Sequence, residues 1–251
     1  MLSIEKIKEK LNSEYYESNV LVFDCVDSTN TVAKNKFSAD KSCPLIVVSN
    51  SQTAGRGRMG RSFYSPKNTG IYMSIAISAR QVSNILSVTA KTAVGVCRTL
   101  EEIGLFPKIK WVNDIYIEGK KVCGILAEGI VNNENNAIEG IVIGIGINVS
   151  TASFPQEIED VAASLGTNAD RNELIASIVN NVLSVVLDNT DDFLCEYKEK
   201  SLVIGKEITC FSPTDSFTAI AIDVDNNGAL IVKLNDGTLT TISTGEVSIR
   251  F

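Results

Sequence analysis

The chain has 251 residues, of which 44% are hydrophobic and 21% charged, and its formal net charge is −7. This composition predicts a globular protein with one full-sized core and at most a small second one, and the net charge argues against a protein that coats nucleic acid. The chain contains no histidine. A Ser-His-Asp triad, a histidine general base and a histidine-ligated metal site are therefore excluded.

The N-terminus and the cysteines indicate the cytoplasm. Residues 1–10 are too rich in charge for a signal peptide, and no stretch approaches the roughly 20 apolar residues that span a bilayer. The six cysteines are scattered without a CxxC pair, as expected in a reducing compartment. We therefore predict a cytoplasmic protein with no membrane contact.

The first half of the chain alternates helices and strands. Apolar residues at positions 4, 7 and 11 predict a helix over 3–12, and a strand follows over 20–23. Asp27 or Ser28 can cap a helix that runs to about Phe37. Further along, strands over 45–49 and 70–78 flank a glycine-arginine loop, and a long helix covers 84–103 and ends at Gly104.

The second half is richer in strands. β-branched stretches over 109–118, 122–131 and 138–149 predict an antiparallel meander, followed by a helix over 172–187 and a shorter one to about Lys200. After Gly205 the turn signals separate five short strands, near 206–211, 217–224, 229–233, 238–242 and 246–250. The pattern predicts an α+β fold with a small terminal β-barrel module.

The segment Gly55–Gly60 satisfies the pattern GxGxxG but is not a dinucleotide fingerprint. That fingerprint needs a helix that begins inside the loop and an acidic residue about 20 positions later. Here Pro66 and Gly70 follow the loop, and the next acidic residue after it is Glu101. The arginines at 56, 58 and 61 lie on a flexible backbone and can bind carboxylate or phosphate oxygens. The alternative is a solvated, mobile loop.

Three further polar motifs interrupt apolar strands. Lys110–Asp114 places a lysine, an amide and a carboxylate early in a predicted strand, and the alternative is a strand end with Asn-Asp in a turn. Lys121 precedes Gly124, which permits close backbone approach, although a lysine beside a turn is usually solvated. The glycines of Gly144–Asn148 indicate either a ligand or backbone packed on the strand, or a β-bulge.

Five motifs together resemble the biotin protein ligases. They occur in the order and spacing of that family: Ser28-Thr29-Asn30, Gln52 to Arg61, Lys110 to Asp114, Lys121 to Glu128, and Gly144 to Asn148. The chain is similar to the short form of the family, which lacks an N-terminal DNA-binding domain. The resemblance implies a class II synthetase-like catalytic domain over 1–200, with a mixed, largely antiparallel sheet, and an SH3-like β-barrel over 201–251.

The activity that the resemblance implies is ATP-dependent biotin ligation. Such enzymes convert biotin and ATP to biotinyl-5'-AMP and pyrophosphate, and then transfer biotin to a lysine of a biotin carboxyl carrier protein. The implied ligands are biotin, ATP and Mg²⁺. This chemistry depends on positioning and on cations that face developing negative charge, so it needs no histidine.

The resemblance also assigns roles to single residues. The biotin ring would contact Ser28, Thr29, Asn30 and Gln52. The loop that closes over biotin and the adenylate would contribute Gly55, Arg56, Gly57, Arg58 and Arg61. Trp111 and Asn113 would lie at the nucleotide, while Gly124, Gly144 and Asn148 would line the pocket. The implied catalytic residues are Arg56, Arg58, Asp114 and Lys121, with Asp114 also at Mg²⁺ and beside the incoming lysine.

Two positions depart from the family pattern. Val112 replaces a common proline and Phe63 a common tryptophan, and we expect altered loop or nucleotide packing rather than lost function. The stretch before Ser28 is too short for a helix-turn-helix domain, so we expect no operator binding and no nucleic-acid partner.

Alternatives remain for activity and assembly. A lipoate or octanoyl transferase shares the architecture but usually carries a histidine motif, and a non-catalytic biotin-binding regulator would lack the nucleotide groups. The protein is predicted to be a monomer or a homodimer. The strands over 109–118 and 138–149 either pair across a dimer or are covered internally.

Overall fold

The computed structural model describes residues 1–37, 44–211 and 216–249. The helices are α1 (Ile4–Lys8), α2 (Thr29–Lys36), α3 (Val88–Glu102), α4 (Arg171–Val186) and α5 (Phe193–Lys200). The strands of the first sheet are β1 (Asn19–Phe23), β2 (Leu45–Ser49), β3 (Gly70–Ser78), β4 (Lys108–Lys110), β5 (Asp114–Ile117), β6 (Lys120–Val131) and β7 (Ile138–Asn148). Those of the second sheet are β8 (Glu207–Phe211), β9 (Ser216–Val224), β10 (Leu230–Lys233), β11 (Leu239–Ile242) and β12 (Glu246–Ile249).

The first sheet has the strand order β1-β2-β3-β7-β6-β5-β4. Strands β1 and β2 are parallel, and the other neighbours are antiparallel. The predicted mixed, largely antiparallel sheet is therefore confirmed. Because β7 lies between β3 and β6, the strand predicted over 138–149 is paired internally, whereas β4, from the stretch predicted over 109–118, is the last strand of the order.

The two faces of this sheet differ in chemistry because successive strand residues point to opposite sides. One row of β7 is isoleucine at 141, 143, 145 and 147, and it belongs to the main core together with α3 and α4. We call this side the core face. On the other side Val47, Ala76 and Val142 pack with Ala33 of α2. We call that side the α2 face.

The second sheet is antiparallel, in the order β11-β10-β9-β8-β12. It packs against the first module through its β9–β10 turn, where the Trp111 indole N–H donates to the Gly228 carbonyl at 2.9 Å. Gly228 has φ +79°, and a Cβ there would lie 3.2 Å from Ala90 Cβ. Lys198 and Asp223 form an ion pair of 2.9 Å across the same junction.

Some predicted bounds were wrong. The single strand predicted over 109–118 is two strands, β4 and β5, joined by a turn at 111–113 across the antiparallel pair of Lys110 and Asp114. The motif thus lies at a strand end, as the alternative proposed. The helix predicted over 3–12 ends at Lys8. No helix within 1–37, 44–211 or 216–249 is long and apolar enough to cross a membrane.

Candidate functional site

The start of α2 carries three buried polar residues on the α2 face of the sheet. Ser28, Thr29 and Asn30 are 2%, 3% and 4% exposed. Ser28 is the N-cap residue, as predicted, but its hydroxyl makes no capping hydrogen bond. Asp27 instead accepts from the Ser28 amide at 2.6 Å. Burying polar groups is costly without partners, so these side chains point to a built polar site.

Thr29 and Gln52 form the first part of that site. The Thr29 amide donates to Gln52 Oε1 at 2.8 Å, and the Thr29 hydroxyl lies 3.2 Å from the same oxygen. Gln52 Nε2 donates to the Ser65 hydroxyl at 2.9 Å. These bonds fix which end of the Gln52 amide faces each neighbour. Ser65 was not predicted from the sequence.

Asn30 forms the second part. Its Oδ1 accepts from the Ser74 hydroxyl at 2.6 Å, and its Nδ2 donates to Glu128 Oε2 at 2.7 Å. A Cβ at Gly144 would lie only 2.3 Å from Asn30 Oδ1. Gly144 is therefore required for the asparagine to occupy this place. Ser74, which interrupts an otherwise apolar strand, is a site residue that sequence reasoning missed.

Glu128 joins this network to the arginine loop, residues 55–61. It accepts from Lys34 Nζ at 2.8 Å and from Arg56 at 3.0 Å. Partial burial opposes ionisation of this carboxyl, but the hydrogen bonds from Lys34 and Asn30 and the nearby cations outweigh burial and lower its pKa. Glu128 ends the motif that begins at Lys121, yet the sequence assigned it no role.

The arginine loop folds back on itself like a hairpin. The Gly57 amide donates to the Arg61 carbonyl at 2.7 Å, and the Phe63 amide donates to the Gly55 carbonyl at 2.8 Å. A Cβ at Gly55 would lie 2.5 Å from the Phe63 carbonyl oxygen. Arg58 donates to Asn113 Oδ1 and to the Gly245 carbonyl, both at 3.1 Å. The loop therefore reaches both modules.

Phe63, one of the two departures, packs on a pair of glycines. Gly124 and Gly146 face each other across β6 and β7. A Cβ at Gly146 would lie 2.6 Å from the Phe63 ring, and one at Gly124 would lie 3.3 Å from it. The ring also makes an edge contact with Tyr72, with centroids 6.4 Å apart. The departure keeps an aromatic ring at this position.

Lys121 and Asp114 lie together on the α2 face. Asp114 is opposite Gly124 in the β5–β6 register. Lys121 Nζ is 2.7 Å from Asp114 Oδ1, although this buried oxygen accepts no hydrogen bond of good geometry. The adjacent Asn113 donates through Nδ2 to the Ile125 carbonyl at 3.0 Å. Lys121 and Asp114 thus present a cation and a carboxylate to the arginine loop from the first sheet.

Within the described residues, no group of three or more His, Cys, Asp or Glu side chains could hold a metal ion.

The second departure from the family pattern, Val112, packs against the main core, and the Trp111–Val112 peptide bond is cis.

Trp111 and Asn148 have N–H groups that bind protein backbone. The Trp111 indole donates to Gly228 at 2.9 Å, and Asn148 Nδ2 donates to the Ala163 carbonyl at 3.1 Å. Through these N–H groups, both side chains therefore stabilise the backbone around the site. The structure otherwise brings the predicted residues of α2, the arginine loop, β5, β6 and β7 together on one face.

Two family models match the chain. Residues 22–148 match the Biotin/lipoate A/B protein ligase family. Residues 203–250 match the Biotin protein ligase C terminal domain. The chain belongs to the biotin protein ligase family. The predicted family and the prediction of a biotin-ligating enzyme are both confirmed.

Named relatives of this ligase agree in sequence and fold. The bifunctional ligase/repressor BirA of Bacillus subtilis is 30% identical over 94% of this chain and 76% of that protein. The biotin--[acetyl-CoA-carboxylase] ligase of Mycobacterium tuberculosis is 29% identical over 81% of this chain and 78% of that one. The Aquifex aeolicus biotin protein ligase in complex with biotin and ATP superposes with a TM-score of 0.76, at 28% identity, over 92% of this chain and 98% of that chain.

Proposed function

We propose that this ligase joins biotin and ATP to form biotinyl-5'-AMP and then transfers biotin to a lysine of a biotin carboxyl carrier protein. One observation carries the proposal. A polar cluster of the buried Thr29 and Asn30 and the half-buried Gln52 lies beside a loop and a strand that present cations. This arrangement suits a ligand with a neutral polar ring at one end and a carboxylate at the other.

The pocket offers both donors and acceptors to the biotin ring. A cyclic urea has one carbonyl oxygen and two N–H groups, so it needs partners of both kinds. Ser28, Thr29, Asn30 and Gln52 supply hydroxyl and amide groups, and Gly144 leaves room for the Asn30 side chain. The fixed amides reduce the cost of ordering the pocket when biotin binds.

In the first step the biotin carboxylate attacks the α-phosphorus of ATP. A new phosphorus–oxygen bond forms, the bond to the β-phosphate oxygen breaks, and pyrophosphate leaves. Arg56, Arg58 and Lys121 face the negative charge that builds up on the phosphate oxygens. Gly55 and Gly57 allow the loop backbone to approach the ligand, and Arg61 adds a further cation at the end of the loop.

In the second step the acceptor lysine attacks the carbonyl carbon of the mixed anhydride. A carbon–nitrogen bond forms, the bond to the phosphate oxygen breaks, and AMP leaves. The amine must first lose a proton, and in this proposal the Asp114 carboxylate accepts it. The closed arginine loop keeps water from the labile anhydride between the two steps.

The residues at Asp114 fit Mg²⁺ that arrives with the nucleotide. Mg²⁺ in nucleotide sites is usually held by one or two carboxylates together with substrate phosphates. Asp114 supplies one carboxylate, whose buried Oδ1 lies 2.7 Å from Lys121 Nζ without a hydrogen bond of good geometry. When bound, Mg²⁺ supplies positive charge to the phosphates. Asn113 and the ring of Trp111 would lie beside the nucleotide.

The domain division at 200/201 is also a proposal. It is supported by the end of α5 at Lys200 and the start of the second sheet at Glu207.

Three further expectations stay predictions: the absence of operator binding, a cytoplasmic location, and a monomeric or homodimeric state. The Bacillus subtilis relative, by contrast, is named a bifunctional ligase/repressor.

The experiment is ATP–pyrophosphate exchange with the purified chain and MgATP. Exchange should depend on biotin and should not occur with lipoate or octanoate. Mass spectrometry should detect biotinyl-5'-AMP in the absence of carrier. Equal exchange with octanoate would contradict the proposed substrate, and tight biotin binding without exchange would contradict the proposed activation step.

A further inference from the structure

Glu128 lies where the biotin pocket meets the arginine loop. Its Oε2 accepts from Asn30 Nδ2 at 2.7 Å and from Arg56 at 3.0 Å, while its Oε1 accepts from Lys34 Nζ at 2.8 Å. The three donors come from α2 and from the loop, and the carboxylate comes from β6. One carboxylate therefore connects three separate segments of the chain.

The shielding of the Glu128 carboxylate and its bond to a buried asparagine distinguish the contact from an ordinary surface ion pair, although Arg56 itself is exposed. Exposed ion pairs contribute little, because both long side chains must be ordered and water screens the charges. Here the Glu128 side chain is 21% exposed and that of Arg56 is 42% exposed, while Asn30 is buried. Two other donors already hold the carboxylate, so pairing with it requires ordering only Arg56.

We propose that Glu128 is a positioning residue that holds Arg56 over the pocket before ligands bind and orients the Asn30 amide within it. The inference rests on the proposed function, since Arg56 and Asn30 matter only if biotin binds there. A guanidinium has five N–H donors, so Arg56 can keep this contact while its other N–H groups meet an anion.

Replacing the Glu128 carboxylate should weaken biotin binding more than it slows the chemical step, because it affects the order of the arginine loop. With a neutral amide at position 128, Lys34 and Arg56 lose the negative charge between them, and Arg56 gains freedom in solvent. Biotin must then order the loop as it binds, which weakens binding. Once the loop is closed the reacting groups are the same, so the chemical step is little changed.

The test compares Glu128→Gln with a control in the full chain. The control is Asp223→Asn, which breaks the Lys198–Asp223 ion pair between side chains that are 37% and 43% exposed, away from the site. For Glu128→Gln we expect the KM for biotin to rise about three- to tenfold, with kcat within about twofold of wild type. Asp223→Asn should change neither constant.

Limited trypsin digestion provides a readout that does not depend on catalysis. In the ligand-free protein, cleavage after the loop arginines should be faster in Glu128→Gln than in wild type and Asp223→Asn. Saturating biotin and ATP should remove that difference. In an Arg56→Gln background, which leaves Arg58 and Arg61 as cleavage sites, Glu128→Gln should add no further acceleration.

Two results would overturn the inference. One is an unchanged KM for biotin in Glu128→Gln, even if its Tm falls, since that result assigns Glu128 a structural role only. The other is an unchanged rate of loop cleavage in the ligand-free protein. If wild type shows no biotin-dependent exchange, the proposed function fails instead, while the digestion of ligand-free protein still reports on the Glu128–Arg56 contact.

Discussion

The two faces of the first sheet use the same strands for different purposes. On the core face, β7 presents isoleucine at four alternating positions. On the α2 face, the intervening positions of the same strand include Gly144 and Gly146, and β3 contributes Ser74. The core face depends on side chains that fill space, whereas the α2 face depends on space that the glycines leave for Asn30 and Phe63. Alternate residues of the same strand thus fill the core and line the candidate site.

The largest effect should come from removing the cation of the α2 face. Lys121→Met should reduce biotin-dependent exchange about 10²- to 10³-fold, because the positive charge that faces the developing negative charge on the phosphate is lost. The matched control is Lys120→Met, one residue earlier, whose exposed ammonium contacts only the backbone carbonyl of Glu159 among its described hydrogen bonds. Equal losses in the two variants would contradict the assignment.

The next effect should come from filling the space at Gly144. Gly144→Ala places a Cβ 2.3 Å from Asn30 Oδ1, so the amide must move, and displacements of this size can cost about 10²-fold in kcat/KM. Gly129→Ala is the control, because its Cβ would meet no atom closer than 3.7 Å. If both alanine variants keep wild-type kcat/KM for biotin, the α2 face does not hold the ligand.

Asp114→Asn separates the two half-reactions. The variant keeps the shape of the side chain but cannot accept the proton of the acceptor lysine. We expect transfer to the carrier to slow about tenfold more than adenylation. Rapid-quench measurements of biotinyl-5'-AMP formation and of carrier biotinylation give the two rates. An equal loss in both would remove the base role and leave Asp114 as a nucleotide-site residue.

The smallest effect on activity should come from the core face. Ile143→Val removes one methylene from a fully buried side chain, and it should lower the free energy of unfolding by about 1 kcal/mol. Urea denaturation measures this change, and the KM for biotin should stay the same. A raised KM without lost stability would show that the two faces are not independent.

Regular strands were predicted well because their signals are local. The bounds of β2 and β3 agree with the predicted strands over 45–49 and 70–78, since each is an apolar run between turn residues. The stretch 109–118 was predicted as one strand, with a strand end at Asn113-Asp114 only as the alternative, because Trp111 and Val112 favour strands and the turn contains no glycine or proline. At this turn the buried Trp111 donates to the Gly228 carbonyl, 117 residues away in sequence, and such a contact has no local signal.

The candidate site was predicted in part for a similar reason. The motifs of α2, the arginine loop and the strands do meet on one face, as the resemblance implied. Ser74 and Glu128 were missed because a lone serine in a strand and a carboxylate at a strand end are common in ordinary sheets. Their role depends on Asn30, which lies 44 and 98 residues away in sequence, and such contacts have no local signal.

The contacts of the terminal sheet limit how freely that module can be exchanged. Its carbonyl groups at Gly228 and Gly245 receive Trp111 and Arg58 from the first module, and both are backbone atoms in tight turns with positive φ. A homologous barrel grafted in its place has to reproduce the path of those two turns, not merely their residues. Chimeric enzymes should therefore tolerate swapped strands far better than swapped turns.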